Sequence, residues 1–479
     1  MEKKKYNFKT PPYDHQRKAL ELGWNKESFA YFMEMGTGKT KVLIDNLGVL
    51  FSQNLINAGL IIAPKSVYTI WQNDELPKHL NVEYESLLWK PTLKEKLIKE
   101  FIGKETNKLK LLIMNVEAFS TKKGLTFAEE FIKIHHCLVS IDESTAIKNH
   151  KAIRTKNILK LRKVAKYRRI LTGSPITKNP LDLYTQCYFL DPNHLGFKSL
   201  YAFKNYHCHF EIMHFGDREI ATPVGFKNLE EIENKLPNFS FRVTKEECLD
   251  LPPKIRLKRE IELTREQKLM YHTLRKRAIL ELEQEKLVTA PLIITRLLRL
   301  QQILCGFVKY DDGTEEIIKG ANPRLDELLD VLEETQGGVI IWATYRRTIQ
   351  LIYDTLAKKY GASNVATYYG ETESEMRQEI VTKFQKGEIK YFIGQPRTGG
   401  YGLTLTNAKT VIYFNNTYDM EVRLQSEDRA HRIGQKDKVT YIDIVCPKTI
   451  DEKIMETLNN KKKLADEITG DNWKELFSL

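Results

Sequence analysis

The sequence has none of the features of a secreted or membrane-spanning protein. No apolar run free of charged residues reaches the roughly 18 residues that a membrane helix needs. The basic N-terminus leads into Pro11 and Pro12 rather than into an apolar signal region, so we do not expect secretion. The cysteines form no C-x-x-C pair and indicate free thiols in a reducing compartment, at Cys137, Cys187, Cys208, Cys248, Cys305 and Cys446. We therefore expect a cytoplasmic protein with no membrane partner.

Internal repeats and low-complexity tracts are absent as well, which argues against a solenoid or a disordered chain. Hydrophobic residues at 42% and charged residues at 29% are typical of a globular protein. A length of 479 residues exceeds what one hydrophobic core supports, so two or three domains are expected. The 75 Lys and Arg against 63 Asp and Glu give a net charge of +12. A polyanionic partner such as nucleic acid would explain this excess, and a well-solvated basic surface is the alternative.

Short apolar runs that end in small or polar residues recur along the chain. Their β-branched composition predicts strands buried on both faces, which alternate with helices to form parallel sheets. The runs lie at residues 60–64, 111–115, 137–142, 339–343, 391–394 and 411–415. The stretch from about 191 to 264 is richer in aromatic residues and lacks this rhythm, whereas a long helical region is predicted from 266 to about 303.

We therefore predict an α/β fold of two lobes, each with a mostly parallel sheet between helices, and a small helical and aromatic insertion between them. The predicted limits are 1–190 for the first lobe, 191–250 for the insertion and linker, 251–464 for the second lobe and 465–479 for a C-terminal tail. Ligands of such sheets bind at the carboxyl ends of the strands, where the polar residues of this sequence stand.

A glycine-rich turn follows the first apolar segment and precedes a helical run. Gly36, Thr37 and Gly38 would let backbone N–H groups wrap phosphates at the N-terminus of the helix. Lys39 would reach the β- and γ-phosphates, and the Thr40 hydroxyl would ligate Mg²⁺. The strict G-x-x-x-x-G-K-T pattern is not met, because Met33 occupies the place of its first glycine. The turn predicts a nucleotide site.

Two adjacent acids end the strand at 137–142, about a hundred residues after the turn. Asp142 could hold Mg²⁺ and Glu143 could orient an attacking water, although a solvated strand end is the alternative for this pair alone. The loop at 171–175 is a further candidate for sensing the γ-phosphate. Gln16 offers an amide that could bond both a donor and an acceptor on adenine.

An arginine-containing segment, QSEDRAHRIGQ at 425–435, predicts a helix that is stopped by Gly434. In such a helix Gln425, Arg429 and Arg432 would share one face. Two guanidinium groups on one face are strong phosphate ligands, so we expect them to stabilise charge in phosphoryl transfer. A surface helix with internal ion pairs is the alternative.

Taken in order, these segments resemble the SWI2/SNF2 family of superfamily 2 helicase-like ATPases, over residues 13 to about 464. The most telling strings are EMGTGKT at 34–40, LTGSP at 171–175, GGYGL at 399–403 and RAHRIGQ at 429–435. The resemblance implies two RecA-like lobes, ATP and Mg²⁺ as cofactors, and duplex DNA as partner. It also implies an ATP contact at Gly402 and Gln425, arginine fingers at Arg429 and Arg432, and DNA contacts at Lys65, Ser66, Asn115, Thr344, Arg397, Thr398 and Gly399.

The sequence departs from the family pattern at three places. The usual Asp-Glu-Ala-His box continues after Glu143 with Ser144 and Thr145, Thr404 stands where Asn is common, and Gln395 with Pro396 replaces a Ser-Thr pair. None of these changes removes a group needed for hydrolysis. No bromodomain, chromodomain or RING pattern is present, which favours a compact bacterial or phage-type enzyme.

The resulting hypothesis is a DNA-dependent ATPase that moves on or remodels duplex or branched DNA in replication, recombination or repair. We expect a monomeric motor, with replication or recombination proteins as further partners. A true strand-separating helicase is one alternative. An ATP-gated DNA-binding scaffold with little turnover, favoured only by the missing box histidine, is the other.

Overall fold

The structure is a computed structural model that describes residues 6–65, 67–176, 179–215, 218–248, 251–284, 290–310, 312–399, 403–432 and 434–468. The strands are β1 (Ser28–Met33), β2 (Ala58–Ala63), β3 (Tyr84–Leu88), β4 (Leu109–Asn115), β5 (Cys137–Asp142), β6 (Tyr167–Leu171), β7 (Cys208–Phe215), β8 (Arg218–Phe226), β9 (Ser240–Val243), β10 (Lys254–Glu260), β11 (Phe307–Lys309), β12 (Glu315–Ile317), β13 (Gly338–Trp342), β14 (Val365–Tyr368), β15 (Tyr391–Gly394), β16 (Ala408–Tyr413) and β17 (Val439–Val445).

The helices are α1 (Asp14–Gly23), α2 (Lys39–Ser52), α3 (Tyr68–Ile70), α4 (Leu76–His79), α5 (Glu95–Gly103), α6 (Lys122–Ile134), α7 (Ile153–Leu161), α8 (Asp182–Leu190), α9 (Leu200–His207), α10 (Leu229–Lys235), α11 (Lys245–Cys248), α12 (Arg265–Gln284), α13 (Ala290–Leu304), α14 (Pro323–Glu334), α15 (Arg346–Tyr360), α16 (Ser374–Lys386), α17 (Pro396–Gly399), α18 (Met420–Glu427) and α19 (Ile450–Ile468).

The first sheet has the strand order β3-β4-β2-β5-β6-β1-β9, and all its neighbouring strands are parallel. Strands β2, β4 and β5 are buried along their whole length, because helices cover both faces. This explains why their sequences are continuous apolar runs rather than alternating ones. Since the strands are parallel, their carboxyl ends all lie at one edge of the sheet.

The second sheet has the order β10-β17-β16-β13-β15-β14 and is parallel throughout. The central strand β13 is buried along its length, whereas the edge strand β10 is mostly exposed and rich in Lys and Arg. Charged residues on an edge strand oppose pairing with another chain. The predicted fold class, two α/β lobes with parallel sheets, is confirmed.

The segment 191–250, predicted to be an insertion and a linker, also contributes a strand to the first sheet. Strand β9 pairs with β1, with Ala30 opposite Ser240. The chain divides into one compact unit of Met1–His209, Pro223–Asp250 and Lys462–Leu479, and a second of Phe210–Thr222 and Leu251–Lys461. Strand β9 has only four residues, too few to give a recognisable apolar run, so its place in the first sheet was not predicted. The domain limits given from the sequence stay a prediction.

The aromatic residues of that segment form a small core within the first unit. The Phe203 side chain is fully buried, and its ring centroid lies 5.4 Å from that of Phe197 and 4.5 Å from that of His207. Within the described part of the chain, no helix is long and apolar enough to cross a membrane.

Candidate nucleotide and nucleic-acid sites

Three loops of the first unit meet at the carboxyl edge of its sheet. They follow β1, β5 and β6, and the order β5-β6-β1 makes these strands direct neighbours. A Cβ atom added to Gly173, in the loop after β6, would lie only 2.8 Å from the backbone nitrogen of Met35 in the turn after β1. The two loops are therefore in direct backbone contact, as neighbouring strand ends require.

The turn after β1 has the conformation that phosphate binding needs. Gly36 and Gly38 have φ of 82° and 90°, in the left-handed region where a side chain would be strained. Helix α2 begins at Lys39, so its first N–H groups have no partner within the helix and face the turn. The Thr37 hydroxyl donates to the carbonyl of Glu34 at 2.7 Å, which closes the turn internally.

Gln16 lies against this turn and is almost completely buried. Its Nε2 donates to the Thr37 carbonyl at 3.0 Å, and its Oε1 accepts from the Tyr13 N–H at 3.1 Å. A Cβ atom on Gly38 would come within 2.2 Å of that Nε2. The amide therefore supports the turn through contacts within the protein, and its role toward adenine stays a prediction.

The acidic pair at the end of β5 is held from two directions. Asp142 Oδ2 accepts from the indole Nε1 of Trp71 at 3.0 Å, and Oδ1 accepts from the N–H of Glu143 at 3.0 Å. Burial raises the pKa of Asp142, while the Lys39 charge and the two hydrogen bonds oppose this. Glu143 has a φ of 48°, a left-handed conformation that is unusual for a residue with a side chain and often marks a functional site.

These residues fit a nucleotide with Mg²⁺. Each oxygen of the Asp142 carboxylate accepts only one of the bonds described above, so lone pairs remain, and a divalent cation would offset the cost of burying its charge. A carboxylate together with the Thr40 hydroxyl is an all-oxygen donor set, which suits Mg²⁺. The ion would neutralise phosphate charge, with Lys39 and the glycine turn as the remaining phosphate ligands.

The residues of the first unit predicted to contact DNA lie on neighbouring strands. Ala63, at the end of β2, is opposite Asn115, at the end of β4. Lys65 is exposed just beyond β2, whereas the Asn115 side chain is buried and accepts from the N–H of Ala118 at 2.8 Å as a helix cap. Ser66 lies outside the described residues. Lys65 is therefore available to a phosphate, and Asn115 is largely engaged by the chain itself.

The predicted helix through the arginine segment is wrong beyond Glu427, because α18 ends at that residue. The carbonyl of Glu427 accepts from the Tyr441 hydroxyl at 2.8 Å, and that of Arg429 accepts from the N–H of Leu405 at 2.9 Å. The Glu427 carbonyl also accepts from the N–H of His431 at 3.3 Å, so one helical bond continues past the end of α18. The N–H of Leu405 takes the Arg429 carbonyl that a longer helix would use.

Arg429 and Arg432 nevertheless lie close together, because both side chains bond the same backbone carbonyl. Arg429 Nη1 and Arg432 Nη1 both donate to the carbonyl of Leu403, at 3.2 and 3.1 Å. Gln425 is buried, and its Oε1 has no hydrogen-bond partner among the described residues. Gly402, the other predicted ATP contact of this unit, lies outside the described residues. The Leu403 carbonyl thus gathers two guanidinium groups in one place.

Two predicted DNA contacts of the second unit, Thr344 and Thr398, are joined through Gln395 at the ends of β13 and β15. Gln395 Nε2 donates to the Thr344 carbonyl at 3.0 Å, and Thr398 Oγ1 donates to Gln395 Oε1 at 3.2 Å. Arg397 is exposed, with its Nη2 3.4 Å from Asp419 Oδ2. A Cβ atom on Gly399 would lie 2.6 Å from the Trp342 ring, so packing against this ring requires glycine there.

Sequence reasoning missed several residues that organise these sites. Trp71 bonds Asp142, Gln186 bonds the segment after the acidic pair, and Asn415 accepts from the N–H of Thr344 at 3.0 Å. Asn415 ends an apolar run at 411–415, which is a usable signal. Trp71 and Gln186 lie in helical segments with no distinguishing pattern, and only the fold brings them to the site.

The fold and the site define a two-lobed P-loop α/β protein, and comparison with known proteins identifies its family. The model of the SNF2-related domain matches residues 15–306, and that of the helicase conserved C-terminal domain matches residues 321–434. The chain belongs to the SNF2 family, as the sequence strings indicated.

Among its relatives is an uncharacterized ATP-dependent helicase of Mycoplasma genitalium, 28% identical over 90% of this chain and 39% of the relative. Another is the mouse SWI/SNF-related matrix-associated actin-dependent regulator of chromatin subfamily A member 1, 27% identical over 90% of this chain and 40% of the relative. The chain thus spans less than half the length of these relatives. The SWI2/SNF2 ATPase core of Sulfolobus solfataricus, solved with dsDNA, is 25% identical over 98% of this chain and 95% of that chain, with a TM-score of 0.44.

Proposed function

We propose that this chain is an ATP-dependent motor that hydrolyses ATP to ADP and phosphate and moves on duplex or branched DNA. The observation that supports this best is the meeting of three loops at one sheet edge: the glycine turn, the acidic pair and the loop after β6. A binding switch would need the glycine turn and a metal ligand, but no residue to orient water. An acidic pair beside the turn adds what hydrolysis needs, a metal ligand and a residue to orient water.

In this proposal each group has a separate task. Lys39 and the N-terminus of α2 bind phosphate oxygens, and Thr40 and Asp142 hold Mg²⁺. Glu143 orients the attacking water, and Arg429 and Arg432 stabilise negative charge on the phosphates.

DNA is the proposed partner on grounds of charge, exposure and family. Lys65 and Arg397 are exposed cations beside the predicted contact loops, and the chain has a net charge of +12. The Sulfolobus solfataricus relative was solved with dsDNA. A role in replication, recombination or repair, within the cytoplasm, and a monomeric motor belong to the same proposal.

Phosphate release measured with and without DNA tests the motor. We expect slow hydrolysis alone and strong stimulation by DNA, together with displacement of a third strand from a triplex substrate, which reports translocation. If the protein displaces a strand from forked DNA but no third strand from the triplex, the alternative of a true helicase is favoured. Tight ATP and DNA binding with negligible phosphate release would favour the scaffold alternative.

A further inference from the structure

Helix α8 contains a buried glutamine whose amide bonds two loops of the nucleotide site and one carbonyl of its own helix. Gln186 Oε1 accepts from the Ser144 hydroxyl at 2.6 Å. Its Nε2 donates to the Pro175 carbonyl at 2.8 Å and to the Asp182 carbonyl at 2.7 Å. Both Gln186 and Ser144 are fully buried. The donors and acceptors allow only this orientation, because a flipped amide would direct its oxygen at two carbonyls.

The two tethered loops are those that flank the γ-phosphate position in the proposed function. Ser144 directly follows Glu143 and begins the 3₁₀ turn Ser144–Ile147. Pro175 belongs to the loop after β6, whose Gly173 lies against the glycine turn. One side chain therefore joins the acidic pair to the loop that touches the phosphate-binding turn.

The tether also explains how the unusual backbone of Glu143 is held. A left-handed φ in a residue with a side chain persists only where the surrounding structure fixes it. On the N-terminal side of Glu143, its N–H is bonded to Asp142 Oδ1. On the C-terminal side, Ser144 is fixed by Gln186, and the Lys148 carbonyl accepts from the Thr185 hydroxyl at 3.1 Å, so α8 holds both ends of the turn.

We propose that Gln186, acting through Ser144, is a positioning residue for the acidic pair and couples it to the loop after β6. This inference rests on the proposed function, since the group being positioned is the residue that orients the attacking water. Neither side chain needs to touch the nucleotide. Loss of the hydrogen bond between Gln186 and Ser144 is therefore expected to lower kcat and to leave the affinity for nucleotide unchanged.

The test compares Gln186→Leu, Ser144→Ala and the double variant in steady-state ATPase assays on the full chain with saturating duplex DNA. Each single variant should lower kcat about tenfold or more, since small misplacements of catalytic groups have effects of this size. KM and the Kd for a fluorescent ATP analogue should change less than about twofold. The double variant should be little worse than Gln186→Leu, because both changes break one tether.

Ser240→Ala is the matched control. Ser240 is a buried serine on β9 of the first sheet, and its hydroxyl donates to the Leu236 carbonyl at 2.7 Å. It should lower Tm about as much as Ser144→Ala and leave kcat unchanged. If Gln186→Leu and Ser144→Ala kept the wild-type kcat, or lost no more of it than Ser240→Ala, the positioning role would be disproved.

Amide hydrogen exchange separates failure of this inference from failure of the proposed function. Gln186→Leu should increase exchange at residues 143–148 and 172–176 together, whether or not the protein hydrolyses ATP. A wild-type protein without DNA-stimulated hydrolysis would refute the motor function. Unchanged exchange in both segments of the variant would refute the tether.

Discussion

Single residues at the carboxyl edge of the first sheet are held more tightly than their side-chain types suggest. Gln16, Asp142 and Gln186 each have both ends of a polar side chain bonded within the protein. Buried polar groups of this kind are costly to leave unsatisfied, so each one restricts its neighbours. Protein groups thus fix each of these side chains, and fixed groups are what electrostatic catalysis in the proposed function requires.

The roles of Lys39 and Glu143 can be separated by substitution. Lys39→Ala should weaken ATP binding and abolish hydrolysis, because it removes the cation proposed to bind the phosphates. Glu143→Gln should keep ATP affinity within a few-fold and lower kcat by about a hundredfold or more, since water orientation acts only in the reaction. Equilibrium binding and phosphate release measure the two effects. Wild-type phosphate release by either variant would contradict the assigned roles.

Trp71→Phe tests the hydrogen bond to Asp142. Phenylalanine keeps most of the apolar contact but leaves Asp142 Oδ2 without its indole donor, 3.0 Å away in the wild type. We expect the Mg²⁺ concentration that gives half-maximal hydrolysis to shift by a few-fold, with little change in Tm. Trp89→Phe is the control, because the Nε1 of Trp89 has no hydrogen-bond partner among the described residues. An equal shift of the Mg²⁺ requirement in both variants would show that the hydrogen bond between Trp71 and Asp142 does not affect Mg²⁺ binding.

At the level of elements, the sequence allowed prediction of the strands and of the glycine turn, because both depend on local pattern. Strand β5 ends at Asp142, as the run at 137–142 predicted, and a helix, α2, follows the glycine turn as expected. The C-terminal end of α18 was not predictable, because Leu405, distant in sequence, takes the Arg429 carbonyl just beyond it, which a longer helix would use. The tether between Ser144 and Gln186 also joins residues 42 positions apart. No spacing rule indicates such a contact.

Gln435 anchors the loop that presents Arg429 and Arg432. Its Nε2 lies 3.0 Å from the Thr406 and Ala430 carbonyls and 3.1 Å from that of Ala408. Gln435→Leu should free this loop, so kcat should fall while KM changes little. ATP affinity, which is proposed to depend on Lys39, should stay the same. Steady-state ATPase assays measure this.

Gln385→Leu is the control for Gln435→Leu, because Gln385 bonds the Thr406 hydroxyl and the N–H of Asn407 in the same region. Its loss should reduce Tm without a selective loss of kcat. If the two variants had the same kinetic effect, the anchoring role of Gln435 would not hold.

For the whole molecule, buried titratable groups make stability depend on pH. In the first unit, burial lowers the pKa of His79 to about 4, with Lys41 and Lys78 adding to the effect. His79 is therefore protonated near pH 6.5 in the unfolded chain but only near pH 4 in the folded protein. The stability contributed by neutral His79 is complete above pH 6.5 and is lost as pH falls toward 4. Asp45, whose pKa is raised to about 6 chiefly by burial, acts in the opposite direction.

His79→Gln should reduce the loss of Tm between pH 7 and pH 5, because the variant has no group to protonate at this position. Thermal unfolding at both pH values measures the difference. His209→Gln, at an exposed histidine, should behave like the wild type. A Tm that falls equally in all three proteins would show that His79 is not responsible.

In the proposed function, ATP turnover by this chain depends on DNA. The most direct test measures phosphate release by the full chain in parallel with single-stranded, duplex and forked DNA, over a range of salt concentrations. We expect duplex or forked DNA to stimulate hydrolysis by at least about tenfold, with stimulation falling as salt rises, because phosphate contacts release counterions. A rate of hydrolysis that is the same with every DNA and without DNA would contradict the proposed motor function.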